Sequence, residues 1–224
     1  GGTCLPAIIF DFDGVIVDSE PLHEAALLQC ARERGMSFTH EQYMAKLIGL
    51  ADRDCLPVLY QLNGRTPTPE EHASYFTQKK QLVHAMIERG EAKGFPGTLA
   101  IIREASGSVP LAVCSGAIRP EIEMVLKSLE IARYFRTIVS ADDVKRSKPD
   151  PEGYQKAAAA LDEKPSNCVA LEDTPTGCRA ALGAGLQVIA VGHSLPRQAF
   201  PPEIADFAPS TGELTLARVL EAIR

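Results

Sequence analysis

The chain has no surplus of basic residues: 23 Lys and Arg face 29 Asp and Glu, for a formal net charge of −6 and a pI near 5.4. That balance argues against nonspecific binding to a nucleic-acid backbone, which needs clustered cations. No apolar run approaches the ~20 residues that span a bilayer, and nothing near the N-terminus resembles a secretory signal. The expected setting is therefore the cytoplasm, without membrane contact. The six cysteines stand singly, without CxxC spacing, several of them in apolar stretches such as Leu111-Ala112-Val113-Cys114. They read as reduced core residues and not as a disulfide framework. Internal repeats are absent, and Ala157 to Ala160 reads as an ordinary helix face.

What remains is the composition of a globular protein, 224 residues with 45% hydrophobic and 23% charged. That is enough for one core domain carrying a smaller insert. Short apolar runs recur at Ala7–Phe10, Leu111–Cys114, Thr137–Val139, Cys168–Leu171 and Gln187–Val191. Runs of this kind fit strands buried on both faces of a parallel sheet. Helical patterns separate them at Leu99–Glu104, Pro120–Leu129, Pro151–Leu161 and Thr176–Ala184. The alternation predicts right-handed crossovers and a doubly wound, mostly parallel α/β sheet, in which ligands sit at the carboxyl ends of the strands.

One stretch breaks the pattern. Between Pro21 and Gly94 the periodicity is helical throughout: Leu22–Arg34, Glu41–Ile48, Asp52–Leu62 and Pro69–Arg89. The expected organisation is a core of residues 1–18 and 97–224 with an all-helical domain, 19–96, inserted after the first strand. The return segment Gly90-Glu91-Ala92-Lys93-Gly94-Phe95-Pro96-Gly97 has the Gly/Pro content of a hinge.

Four polar groups follow the predicted strands. Asp11 and Asp13 stand two residues apart just past the first; such carboxylates repel unless a proton or cation intervenes, and Mg²⁺ with oxygen ligands would resolve the repulsion. Taken alone the pair reads sooner as turn or cap aspartates. Ser115 and Gly116 follow the second strand, where a hydroxyl and backbone N–H groups make an anion site, or simply an N-cap. Lys148 precedes Pro149, and Pro151 suits a helix start; alone it is a surface lysine. Glu172 and Asp173 follow the strand at Cys168–Leu171 and could complete a metal site or cap the next helix. The convergence of all four on one sheet edge is what distinguishes the chemical reading.

Asp11-Phe12-Asp13-Gly14, Ser115, Lys148-Pro149 and Glu172-Asp173 resemble the four ordered motifs of the haloacid dehalogenase (HAD) superfamily of phosphotransferases. The helical insert resembles that superfamily's α-helical cap. Asp18-Ser19-Glu20-Pro21-Leu22-His23, Phe95-Pro96-Gly97 and Val139-Ser140-Ala141-Asp142-Asp143-Val144 through Pro151 are similar to its β-phosphoglucomutase-like branch. The resemblance implies an enzyme acting on small phosphorylated metabolites. Asp11 would be the nucleophile that forms an aspartyl-phosphate, and Asp13 the general acid and base. Mg²⁺ would be held by Asp11, the Asp13 carbonyl and Asp173, with Glu172 helping through water. Lys148, Ser115 and the Gly116 N–H would hold the phosphoryl oxygens.

The branch contains hydrolases and mutases, and the resemblance implies a criterion: mutases carry a Lys just before the cap's Gly and an Arg three residues after it. Here Leu47-Ile48-Gly49-Leu50-Ala51-Asp52-Arg53 has Ile48 and Asp52 at those places, with Arg53 one residue late. Gly116-Ala117-Ile118-Arg119 likewise replaces the usual Ala-Ser-Lys-Asn, leaving Arg119 as the strong anion donor. Hydrolysis is therefore favoured over a mutase, with Arg53, Arg119 and His23 as candidate substrate-side residues and Leu50 and Lys46 as cap positions that could face it. His23 matches a hinge-side histidine that assists the general acid in mutases, or is an ordinary helix residue. A macromolecular substrate is not expected, and the oligomer expected is a monomer or weak dimer. A dinucleotide-binding fold is excluded because no GxGxxG follows the first strand, and a receiver domain would be shorter and lack the insert. A non-catalytic descendant conflicts with four filled motifs. His40, His72, His84 and His193 lack metal-ligand spacing, although His193 follows the last strand closely enough to reach the rim of the site.

Overall fold

The structure, a computed structural model, describes residues 6–223. Cys4 lies outside them; Cys30, Cys55, Cys114, Cys168 and Cys178 are free and buried. The chain divides into two compact units, residues 1–18 with 93–224, and residues 19–92.

The first unit is built on a six-stranded sheet. β1 (Ala7–Phe10) is followed after a turn by the two-residue β2 (Val17–Asp18), and β3 (Lys93–Gly94) pairs antiparallel with β2. β4 (Leu111–Cys114), β5 (Thr137–Val139), β6 (Cys168–Glu172), β7 (Gln187–Val191) and β8 (Asp206–Ala208) join β1 in the order β5-β4-β1-β6-β7-β8. Every neighbouring pair in that sheet is parallel. Ile8, Ile9, Phe10, Ala112, Val113, Val169, Ala170 and Leu171 are all buried, so consecutive side chains on opposite faces are covered alike. On one face Ile9, Ala112 and Cys114 pack with Tyr154, Ala157, Cys178 and Ala181; on the other Phe10 meets Phe135 edge-on at 6.0 Å.

The later boundary falls at Lys93 and not at 97. Lys93–Gly94 are committed to the β2–β3 ribbon, and the Phe95 N–H donates to Ile16 O at 2.9 Å. Both crossings between the units thus leave from one short hydrogen-bonded ribbon. β8, unforeseen in the apolar pattern, is a three-residue edge strand held by β7 and by Arg218, whose guanidinium grips Asp206 at 2.8 and 3.0 Å.

The second unit is helical: α1 (Glu20–Glu33), α2 (His40–Gln42), α3 (Asp52–Leu62) and α4 (Pro69–Glu88). Its core gathers Leu27, Cys30, Phe38, Tyr43, Leu47, Leu56, Leu59 and Tyr75. The segment expected as one regular helix at Glu41–Ile48 instead passes from α2 into a π-turn over Tyr43–Leu47, closed by Ile48 N–H to Tyr43 O at 2.8 Å. Tyr43 and Leu47 both stay buried while Met44 and Lys46 face outward, and the Tyr43 hydroxyl donates to Glu20 at 2.6 Å. No helix among the described residues is long and apolar enough to cross a membrane.

Five helices complete the first unit: α5 (Pro96–Ala105), α6 (Arg119–Ser128), α7 (Glu152–Ala160), α8 (Pro175–Gly183) and α9 (Leu216–Glu221). Proline at an N-terminal position starts α5, α6 and α8, where its missing N–H costs nothing. The first turn of α5 is a close junction between backbones. A Cβ at Gly97 would overlap the backbone of Thr211 and Gly212, and the buried Thr98 hydroxyl donates to Val15 O at 2.6 Å and lies 2.9 Å from the Thr211 hydroxyl. Since backbone cannot step aside as a side chain can, Gly97→Ala is expected to lower unfolding free energy by about 1–3 kcal/mol, measured by urea denaturation. A variant as stable as the parent would show that the junction yields.

Candidate active site

β1 is the strand at which the sheet order reverses, with β4 on one side and β6 on the other. Ligands bind in open α/β sheets at the carboxyl end of such a switch point. Asp11 is the first residue beyond β1 and its N–H donates to Leu171 O at 3.1 Å, so the carboxylate is rooted in the sheet. The chain then turns sharply, with Ile16 N–H on Phe12 O and Gly14 N–H on Val17 O, both at 2.9 Å. Gly14 adopts φ +82°, and a Cβ there would overlap the Asp173 carboxylate. Glycine is therefore required twice, by the left-handed backbone and by the close approach.

Around this turn the structure gathers residues from four strand ends. Asp11, Glu172 and Asp173 each offer a carboxylate oxygen, all within 4.8 Å of one another. Lys148, from the loop after β5, places Nζ 2.9 Å from Asp11 Oδ1, 2.7 Å from Glu172 Oε1 and 3.0 Å from Cys114 O. The Lys148–Pro149 peptide bond is cis. Burial alone would pull the Lys148 pKa down, but Asp11 and Glu172 more than reverse this and hold it above its ordinary value. Glu172 is fully buried at the end of β6. Burial, with the Asp11 charge adding to it, pushes Glu172 and Asp173 up to about 8.

The donor set fits a hard divalent cation. Three oxygen-bearing carboxylates crowd one corner, and Glu172 Oε2 and Asp173 Oδ1 are buried without any hydrogen-bond partner. Such orphaned anionic oxygens are costly unless something positive meets them. The Asp13 side chain is not among the three clustered carboxylates; its backbone bridges to Val17 within the turn.

Ser115 is buried beyond β4, with its N–H on Val139 O at 2.9 Å and its hydroxyl accepting from Ala117 N–H at 3.0 Å. It and Gly116 stand in the loop ahead of α6, whose N-cap is Ile118. They line a cavity of about 230 Å³ together with Lys148, Lys145 and Arg146. Arg119 departs from the expected anion-binding role. Its guanidinium donates to Asp143 at 2.6 Å and Ile138 O at 2.7 Å, and reaches Glu123 at 3.6 Å. Asp143 is itself held low by the Ser140 N–H and then by Arg119, so the pair is a stable brace between loop and helix. His23 and Arg53 belong to the helical unit: His23 is half-buried on α1, and Arg53 is 81% exposed on α3 beside Asp54 at 3.9 Å. Asp52, at the position of the mutase arginine, is paired with the buried Lys79.

Two side chains at this corner, Tyr154 and Ser194, carry no signal in the sequence, and a third, His193, is expected there only as a neighbour of the rim. The Tyr154 hydroxyl, from α7, donates to Glu172 Oε1. The Ser194 hydroxyl donates to Asp173 Oδ2 at 2.6 Å. His193 bridges Gly14 O at 2.7 Å and the Thr211 N–H at 3.1 Å. Neither Tyr154 nor Ser194 stands in a recognisable motif, and their roles depend on tertiary contacts.

Comparison with known proteins agrees with this geometry. Residues 8–191 match the family described as haloacid dehalogenase-like hydrolase. A phosphorylated carbohydrates phosphatase of Thermotoga maritima is 30% identical over 192 residues, 85% of this chain and 87% of that protein. The fructose-1-phosphate phosphatase YqaB of Escherichia coli is 29% identical over 184 residues, 82% and 95% of the two chains. Among solved structures, a Thermotoga maritima protein named provisionally as a β-phosphoglucomutase superposes with a TM-score of 0.78 at 27% identity, covering 98% of each chain. With its four motifs drawn to one sheet edge and this match along most of its length, the chain belongs to the haloacid dehalogenase-like hydrolases, in their β-phosphoglucomutase-like branch.

Proposed function

We propose that the protein is a Mg²⁺-dependent phosphatase of small phosphorylated metabolites, sugar phosphates foremost, that works through an aspartyl-phosphate on Asp11. The observation that carries this reading is the corner itself: Asp11 at the switch point, within 4.8 Å of Glu172 and Asp173 by carboxylate oxygens and 2.9 Å from the Lys148 ammonium. The names of the Thermotoga and Escherichia relatives supply the substrate class.

In the first half-reaction an Asp11 carboxylate oxygen attacks phosphorus and the ester P–O bond breaks. The leaving alkoxide takes a proton from Asp13 and departs as the alcohol, leaving Asp13 a carboxylate. In the second, Asp13 removes a proton from water, whose oxygen displaces Asp11 from phosphorus. Inorganic phosphate leaves and both aspartates return to their starting states. Lys148 holds positive charge against the phosphoryl oxygens, while the Ser115 hydroxyl and the Gly116 N–H donate to them. Asp11, the Asp13 carbonyl and Asp173 would hold Mg²⁺, with Glu172 supporting through water; when bound, the ion neutralises charge that builds on the phosphoryl group. The helical unit is the candidate for selecting the substrate, with Arg53, Leu50 and Lys46 as its candidate substrate-side residues. Hydrolysis is favoured over mutase transfer because Arg119 is already bound to Asp143.

Phosphate release from a panel of sugar phosphates, phosphoglycolate and nucleotides, run with and without a trace of sugar bisphosphate, tests the assignment. Release that needs Mg²⁺, stops with EDTA and ignores the bisphosphate is the expected result; isomerisation without release would make the protein a mutase. Asp11→Asn is expected to fold, to lose turnover to background and to form no acid-stable phosphoenzyme. A normal rate in that variant would remove Asp11 as nucleophile.

The raised carboxylates give a second prediction. In the ion-free protein Glu172 and Asp173 keep protons up to about pH 8 that the unfolded chain releases near ordinary carboxylate pKa values of 4.5 and 3.8. Stability therefore falls as pH rises through that window, because the native state binds more protons than the unfolded one. In EDTA the melting temperature is expected to decline from pH 5 to 8, and the rise on adding Mg²⁺ to grow with pH as the ion replaces those protons. A Mg²⁺ increment equal at both ends of the range would place the ion elsewhere.

A further inference from the structure

The corner's carboxylates are each oriented by an outside donor. Tyr154 and Lys148 hold Glu172 Oε1. Asp173 is held differently: Oδ2 accepts from Ser194 and fills the space a Cβ on Gly14 would take, leaving Oδ1 buried and unpartnered. Ser194 follows β7, and its neighbour His193 is fixed on three sides. The Thr211 N–H can only donate, so it donates to His193 Nε2 at 3.1 Å, and this places the ring hydrogen on Nδ1. That hydrogen is then donated to Gly14 O at 2.7 Å. The ring stacks on Phe95 with centroids 3.9 Å apart and planes 14° apart. Thr211 lies against Thr98, whose hydroxyl holds Val15 O. The dipeptide after β7 is thus joined to the nucleophile turn at Gly14, to Phe95 where the chain returns from the helical unit, and to the carboxylate of Asp173.

Resting on the function read above, we propose that His193 and Ser194 are positioning residues for the cation site. Ser194 turns the Asp173 carboxylate so that one oxygen stays free for the ion, and His193 holds the segment that carries Ser194 in register with the Asp11–Gly14 turn. Neither touches the substrate or the reacting atoms. A donor that orients a ligating carboxylate acts on metal affinity directly.

The test is calorimetric titration of the full-length protein with Mg²⁺ alone, beside kcat and KM for the best substrate of the panel. Ser194→Ala is expected to weaken Mg²⁺ about tenfold while the KM measured at saturating Mg²⁺ stays near the parent value. Ser194→Thr, which keeps the hydroxyl, is expected to restore most of the loss. His193→Ala should weaken Mg²⁺ as well, and the double variant should lose no more than the worse single one, because one residue acts through the other. Unchanged affinity in Ser194→Ala, failure of threonine to rescue, or additive losses in the double variant would overturn the proposal. Absence of Mg²⁺ binding by the unaltered protein would overturn the functional reading itself, and is told apart by appearing without any substitution.

Discussion

Three carboxylates brought within 4.8 Å of one another are the constraint on which the rest depends. Two unit charges about 4 Å apart repel by about 4 kcal/mol at a partly screened site, and here the Lys148 ammonium meets two of the three, Asp11 and Glu172. Fully ionised, the corner would keep two uncompensated negative charges in a setting where Glu172 has no contact with solvent. Protons relieve this in the ion-free protein, which is why Glu172 and Asp173 are held far above ordinary carboxylates. A divalent cation matches the deficit in charge, and hard carboxylate oxygens match it in chemistry. The same imbalance that makes the corner costly to fold suits it to such an ion.

The parallel sheet makes that crowding possible. Its strands end together at one edge, and around the order reversal at β1 the residues Asp11, Ser115, Lys148 and Glu172 come from the ends of separate strands or the loops that follow them. Two glycines remove the atoms that would hold the acids apart. Side chains at Gly14 or Gly177 would overlap Asp173 and Glu172 respectively. The corner is therefore shaped by absence of side chains as much as by the charged groups themselves.

Much of this was legible in the sequence because it rests on local signals. Strands buried on both faces are continuous apolar runs, so β1, β4, β5 and β7 begin and end where their runs do. Asp11 and the pair Glu172-Asp173 follow their runs directly, which is why they could be placed at one edge, whereas Lys148 stands nine residues past the end of β5. What escaped depends on contacts between distant segments. β8 is short and opens on Asp206, and the β2–β3 ribbon joins residues far apart in sequence. The π-turn at Tyr43–Leu47 differs from a regular helix by one hydrogen-bond step that periodicity cannot resolve. Tyr154 and Ser194 are an ordinary helix residue and an ordinary loop residue until the fold sets them against Glu172 and Asp173.

Arg119 shows how such a distant contact bears on the choice between hydrolysis and transfer. At its position a free guanidinium could grip a second phosphate or a carboxylate bidentately. Asp143, twenty-four residues on, takes that guanidinium instead, and the Ile138 carbonyl takes another of its donors. A second anionic group entering the core would have to displace a carboxylate already supported by the Ser140 N–H and hydroxyl. In the helical unit Asp52 stands where a mutase arginine would, ion-paired to Lys79. Retaining a bisphosphate through reorientation needs firm contacts at both ends; a hydrolase needs them at one. On the function proposed above, this core offers its preorganised donors to a single phosphoryl group, which suits release of phosphate to water better than its return to the alcohol it came from.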